Sequence, residues 1–81
     1  MQVMYFSWLR ERVGEASEEV ETSAATPAEL IAELKARGDG HAAAFEDVSA
    51  IRVAVDQQMV ELDHSLAGAR EVAFFPPMTG G

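Results

Sequence analysis

Residues 71–81 have the sequence EVAFFPPMTGG, and this stretch decides the fold because it joins a strand, a strand stop and the chain end. Its valine, alanine and phenylalanine residues predict a β-strand. Pro76 and Pro77 end the strand, since neither residue can donate a hydrogen bond to a neighbouring strand. We therefore expect one domain over residues 1–76, followed by an extended tail over residues 77–81.

The tail has the features of a segment that enters a narrow channel. The two prolines favour an extended conformation and hold the tail away from the sheet. Six extended residues reach about 20 Å. Gly80 and Gly81 carry no side chains, so they can approach a nucleotide closely. An ATP-using enzyme could adenylate the unhindered carboxylate of Gly81, and a sulfur donor could then convert it to a thiocarboxylate. The alternative is an end with no role of its own.

The rest of the chain predicts further strands and one main helix. The clearest start signal is the capping box Thr26-Pro27-Ala28-Glu29, and Gly38 is expected to end that helix in a left-handed conformation. Strands are predicted over 2–6, 18–22, 51–55, 59–62 and 71–75, and helices over 8–13, 27–37 and 41–46. This order predicts an α+β fold in which one main helix packs on one face of a mixed sheet.

The first and last strands are apolar on both faces. Val3 and Tyr5 point to one side of the first strand and Met4 to the other, and the last strand alternates in the same way. A chain of 81 residues is too small to bury both faces fully. We expect one face to meet the main helix and the other to form an exposed patch that suits a partner, with Phe6, Met59 and Phe75 as its members. The alternative is a two-sided core that loops and short helices cover.

Composition excludes several functional classes. Fourteen acidic residues against six basic ones give a net charge of -8, which disfavours nucleic-acid binding and favours a basic protein partner. A solubilising surface explains the same charge equally well. The chain has no cysteine, so sulfur cannot be carried as a side-chain persulfide. No segment has the composition of a membrane span or a secretory signal, and we expect a cytoplasmic protein.

The sequence predicts neither a metal site nor a catalytic site. His41 and His64 are far apart, and Asp63 alone adjoins one of them, whereas a metal site needs three or four convergent ligands. We expect both histidines to be solvated loop residues. Glu18 and its acidic neighbours are expected to form a charged edge strand. No phosphate-binding loop or nucleophile–base pair is present, so the protein is not expected to be an enzyme on its own and ATP chemistry must belong to a partner.

Residues 71–81 closely resemble the C-terminus of the small, sulfur-carrier subunit of molybdopterin synthase, the MoaD family of ubiquitin-like sulfur carriers. Residues 3–11 resemble that family's first strand and helix, and residues 54–57 resemble its central turn, so the resemblance runs along the chain. It implies a β-grasp, ubiquitin-like fold with a flexible C-terminal tail. The chain departs from the family at Asp56, where Asn is usual, and at Ala69-Arg70, where Gly-Asp is common. Both departures lie in predicted turns.

The resemblance also implies a reaction and its partners. A MoeB-like adenylating enzyme would use ATP to form a transient acyl-adenylate on Gly81, and a sulfur-donor protein would supply the sulfur. The tail, with Met78, Thr79 and Gly80, would insert into a MoaE-like large subunit. There the sulfur would pass to cyclic pyranopterin monophosphate and form the dithiolene of molybdopterin during molybdenum cofactor biosynthesis.

In that assembly the synthase would be a heterotetramer of two small and two large subunits. Phe6, Met59 and Phe75 would contact the large subunit, and the carrier itself would hold no cofactor stably. Two alternatives remain. One is a sulfur carrier for thiamine or amino-acid synthesis, and the other is a ubiquitin-like modifier that joins Gly81 to lysines of target proteins.

Overall fold

The computed structural model describes residues 1–77 and divides them into five strands, three α-helices and a short 3₁₀ helix. The elements in chain order are β1 (Gln2–Tyr5), α1 (Trp8–Val13), β2 (Ser17–Glu19), α2 (Pro27–Lys35), α3 (Asp39–Ala44), the 3₁₀ helix (Val48–Ala50), β3 (Arg52–Val55), β4 (Gln58–Val60) and β5 (Glu71–Phe75). The bounds of α1 and β5 match the sequence predictions. The calls on Met78, Thr79, Gly80 and Gly81 lie outside the described residues.

The strands form one mixed sheet in the order β2-β1-β5-β3-β4. β1 and β5 pair in parallel at its centre, and the other neighbouring strands pair antiparallel. β2 lies at an edge, as predicted. A parallel pair requires a crossover connection, and here the crossover contains most of the chain. With α2 packed on one face, this is the β-grasp architecture that the resemblance implied, and the α+β prediction is confirmed.

The core lies between α2 and one face of the sheet. Val3, Tyr5, Val72 and Phe74 are fully buried on the two central strands. They form one cluster with the buried α2 residues Leu30, Ile31 and Leu34, and with Phe45 and Val53. Each large side chain buried in this way stabilises the fold by about 1.5–3 kcal/mol relative to exposure. The Glu18 side chain lies on the same face, because Glu18 pairs with Val3 in the sheet register.

The start of α2 is capped as predicted, but its end is not. The Thr26 hydroxyl accepts a hydrogen bond from the Glu29 amide at 3.3 Å, and the Glu29 carboxylate accepts in turn from the Thr26 hydroxyl at 3.5 Å. The prediction for Gly38 was wrong, because its φ of 165° is extended rather than left-handed. The reason is that α3 begins directly after it at Asp39, so the chain extends between two helices instead of turning back. Gly14 does end α1 in the left-handed region, with φ 95°.

Glu18 lies in a charged edge strand, as predicted, whereas the prediction of His41 as a solvated loop residue was wrong. His41 lies in α3, and its Nε2 atom is 2.7 Å from the Glu18 carboxylate. The same carboxylate accepts hydrogen bonds from the Tyr5 hydroxyl at 2.7 Å and from Arg37 at 3.2 Å. The Glu18 side chain is only 12% exposed. It therefore ties the edge strand to β1, to α3 and to the end of α2.

The contacts around the Glu18 carboxylate shift the pKa values of Glu18 and Tyr5. Burial raises the pKa of Glu18, but the hydrogen bonds from His41 and Tyr5 and the charge of Arg37 outweigh it, so the pKa lies below its ordinary value. Burial, followed by the hydrogen bond to Glu18, raises the pKa of Tyr5. Tyr5 therefore stays neutral and donates to an ionised Glu18 at neutral pH.

We expect Glu18→Gln to lower the free energy of unfolding at pH 7 by about 1–3 kcal/mol, because buried donors lose a charged acceptor. A depressed folded-state pKa contributes stability that is complete above the ordinary value of 4.5 and is lost as pH falls through the folded pKa. The difference between the wild-type and variant melting temperatures should therefore shrink in acid. Thermal unfolding from pH 7 to pH 3 measures it, with exposed Glu21→Gln as the control. Equal effects of the two substitutions at pH 7 would contradict the account.

A second prediction concerns the close approach of α1 and α3. A Cβ atom added at Gly40 would lie 2.6 Å from the Arg12 carbonyl oxygen, so the two helices would have to separate. We expect Gly40→Ala to destabilise the fold by about 1–3 kcal/mol in urea unfolding. Gly38→Ala is the matched control, since a Cβ atom there meets nothing within 4 Å. If both variants unfold at the same urea concentration, the helix contact does not require glycine.

Candidate functional site

The sheet has a second face, which points away from the core cluster. The strand register places Met4, Ala73, Ala54 and Met59 in one row across β1, β5, β3 and β4. None of these four residues belongs to the cluster packed with α2. Met59 is 60% exposed, whereas Ala54 and Ala73 have small side chains and are buried. The middle of this second face is therefore a shallow apolar surface between two methionines.

Two phenylalanines lie at one end of the second face. The Phe6 and Phe75 rings stack with their centroids 4.6 Å apart and their planes 10° from parallel. Each is partly buried, because each ring covers the other. The structure thus brings Phe6 and Phe75 into contact. Met59 lies on the same face but on edge strand β4, with β3 between it and β5. The predicted patch consists of an aromatic pair and a separate exposed methionine.

The tail leaves the sheet at this aromatic end. β5 ends at Phe75, and the Phe6 amide donates a hydrogen bond to the Phe74 carbonyl at 3.1 Å beside that end. Since β5 lies between β1 and β3, the chain departs from the middle of the sheet rather than from an edge. Pro76 and Pro77 follow and are partly buried. A protein that covers the second face therefore contacts the root of the tail as well.

The turn before β4 fixes the start of β5. Asp56 and Gln57 have φ values of 48° and 70°, which favour Asn, Asp or Gly. The Asp56 Oδ1 atom accepts hydrogen bonds from the amides of Arg70 and Glu71, both at 3.0 Å. An asparagine supplies the same acceptor oxygen, so Asp56 preserves this contact despite departing from the usual family residue. No local pattern indicates this pairing, because the partners are about fifteen residues apart.

Arg52 is a residue on this face that the sequence reasoning missed. It is exposed, and it pairs with Phe75 in the register of β3 and β5. With Met59, Ser49 and Glu61 it lines a groove of about 630 Å³ at the β4 side of the sheet. Within residues 1–77 no carboxylate lies in ion-pair distance of its guanidinium. Only the assembled sheet shows that this cation stands beside an aromatic pair.

The described residues contain neither a cluster of metal ligands nor a helix that could span a membrane. Over residues 1–77 no group of three or more histidine, aspartate or glutamate side chains is arranged to hold a metal ion. His41 is engaged with Glu18, and His64 is exposed. In the same range, no helix combines the length and the apolar character that crossing a membrane requires.

Comparison with known proteins gives consistent results along the whole chain. The model of the ThiS family matches residues 3–81. The molybdopterin synthase sulfur carrier subunit of Escherichia coli K12 is 41% identical over 81 residues, which is all of this chain and 99% of that protein. The subunit of the same name from Haemophilus influenzae is 33% identical over the same coverage. Among solved structures, SAMP1 from Haloferax volcanii superposes with a TM-score of 0.74 at 25% identity, covering 100% of this chain and 98% of that one.

Proposed function

The chain belongs to the ThiS family, and from this membership we propose that it is the sulfur carrier subunit of a molybdopterin synthase. The observation that carries the proposal is the 41% identity, over the full chain, to the Escherichia coli sulfur carrier subunit. The terminal Gly80-Gly81 pair lies within the matched range and supplies the reacting group. This assignment makes the protein a donor of sulfur rather than a catalyst.

The proposed chemistry takes place on the carboxylate of Gly81. A carboxylate oxygen attacks the α-phosphorus of ATP in a MoeB-like enzyme, pyrophosphate leaves and an acyl-adenylate forms. Sulfide delivered by a sulfur-donor protein then attacks the carbonyl carbon, and AMP leaves, so a thiocarboxylate remains. The absence of cysteine supports this route, because the chain offers no thiol as an alternative carrier. The thiocarboxylate sulfur then bonds to cyclic pyranopterin monophosphate, and water attacks the Gly81 carbonyl carbon, so the carbon–sulfur bond breaks and the Gly81 carboxylate is restored.

Docking on a MoaE-like large subunit uses the second face. Phe6, Met59 and Phe75 supply its apolar contacts, and the tail begins where Phe75 ends. Six extended residues from Pro76 to Gly81 reach about 20 Å, which is enough to enter a site inside the neighbouring subunit. Met78, Thr79 and Gly80 belong to the inserted segment. Two carriers assemble with two large subunits. Adenylation and pterin chemistry both belong to the partners.

Sulfur loading gives the first test. Incubation with the adenylating enzyme, ATP and a sulfur donor should exchange one terminal oxygen for sulfur, which intact-mass spectrometry detects. Deleting Gly81, or extending the chain beyond it, should abolish the exchange and leave the fold intact, because the residues of β5 are unchanged. The Escherichia coli carrier serves as the positive control. Absence of exchange in the wild type, or exchange in either variant, would contradict the tail mechanism.

Docking gives the second test. We expect Phe75→Asp to weaken binding to the large subunit by about tenfold or more, because a charge replaces an aromatic contact at the root of the tail. The control is Ala32→Asp, which adds the same charge on the exposed side of α2. Calorimetric titration measures both, and circular dichroism checks folding. Equal affinities would exclude this face, and an unfolded variant would show that Phe75 belongs to the core, in which case Met59→Asp tests the same surface.

Assays of the products formed from Gly81 distinguish the two alternative functions. Gly81-dependent conjugates with lysines of cell proteins would instead favour a ubiquitin-like modifier. Sulfur delivery to a thiamine precursor or to an amino acid, without any to the pyranopterin, would favour those branches.

A further inference from the structure

The second face has unequal charge at its two ends. Glu19 and Glu71 pair with Gln2 in the sheet register and mark an acidic end. At the other end, where the tail begins, Arg52 pairs with Phe75 on one side and lies opposite Glu61 on the other. The chain has only six basic residues against fourteen acidic ones. Arg52 therefore places a positive charge beside the aromatic pair of a protein that is acidic as a whole.

Arg52 also lies between the two apolar contacts of the proposed docking face. It pairs with Phe75 on one side, and two residues along the same strand Ala54 pairs with Met59 on the other. A partner that contacts both Phe75 and Met59 must cover Arg52 or border it closely. Covering a guanidinium that finds no acceptor among residues 1–77 is unfavourable, because a charge loses its water without gaining a partner. The covering surface must therefore supply an acceptor.

We infer that Arg52 selects the partner by pairing with an aspartate or glutamate side chain on the large subunit. The inference rests on the proposed function, since it assumes that the large subunit covers the second face. A carboxylate fits because it accepts two parallel hydrogen bonds from a guanidinium. A phosphate polymer does not, because the net charge of -8 repels it. The pair fixes the orientation of the apolar contacts and admits only partners with a matching acid.

The carrier itself offers one competing acceptor. Val53 pairs with Val60, so Glu61 follows at the register position opposite Arg52. Both residues line the groove, yet within the described residues they form no ion pair. If Glu61 turned toward Arg52 on docking, the partner would need no acid. Glu61→Gln separates the two cases.

Surface plasmon resonance with the large subunit from the same genome tests the inference. At low salt, Arg52→Glu should weaken binding by about 30-fold or more, since a buried pair becomes a like-charge contact. Lys35→Glu makes the same charge change on exposed α2 and should stay within about twofold of wild type. Glu61→Gln should also bind like wild type. Substituting lysine for the facing acid of the large subunit should restore binding to Arg52→Glu.

Four outcomes decide the matter. If Arg52→Glu binds no more weakly than Lys35→Glu while Phe75→Asp loses affinity, the docking face stands and the role of Arg52 is overturned. A loss with Glu61→Gln equal to that with Arg52→Glu overturns it too, because the acceptor is then internal. The role of Arg52 is also overturned if no acid-to-lysine substitution in the large subunit restores binding. If neither Arg52→Glu nor Phe75→Asp changes affinity, both the inference and the docking proposal fail.

Discussion

The parallel pairing of β1 with β5 is the interaction on which the rest of the structure depends. It joins the two ends of the chain at the centre of the sheet, with Val3 opposite Val72 and Tyr5 opposite Phe74. A parallel pair needs a long crossover, so every helix and the other three strands lie between its members. The same pairing stacks Phe6 on Phe75 and places the start of the tail between two strands. The position of the core, the composition of the second face and the place where the chain leaves the sheet all follow from this pairing.

The sequence predicted those parts of the fold that depend on local chemistry. The Pro76-Pro77 stop and the capping box at Thr26 each act within a few residues, and the structure has both features. The two-faced alternation of β1 and β5 identified which residues share a face. The family resemblance supplied the topology, which alternation alone does not determine.

The predictions that failed depend on contacts between distant segments. Gly38 has the composition of a left-handed helix terminator, but the position of α3 keeps it extended. His41 was predicted to be a solvated loop residue, because the 23-residue separation from Glu18 hides their 2.7 Å contact. Arg52 was missed for the same reason, since only the sheet register places it beside Phe75. The tail positions of the candidate site remain predictions from sequence, whereas its surface residues are located by the structure.

The two faces of the sheet differ in role: one holds the core, and the other is the proposed docking surface. α2 covers one face and supplies the fold with its core, so we expect substitutions of exposed residues on the other face to change binding more than folding. The central claim is that Gly81 delivers sulfur for dithiolene formation. The most direct measurement combines the thiocarboxylated chain, the large subunit and cyclic pyranopterin monophosphate, and quantifies molybdopterin by chromatography. The account predicts dithiolene product in proportion to the thiocarboxylate consumed. Thiocarboxylate that stays intact, while the Escherichia coli carrier and its own large subunit form product under the same conditions, would contradict it.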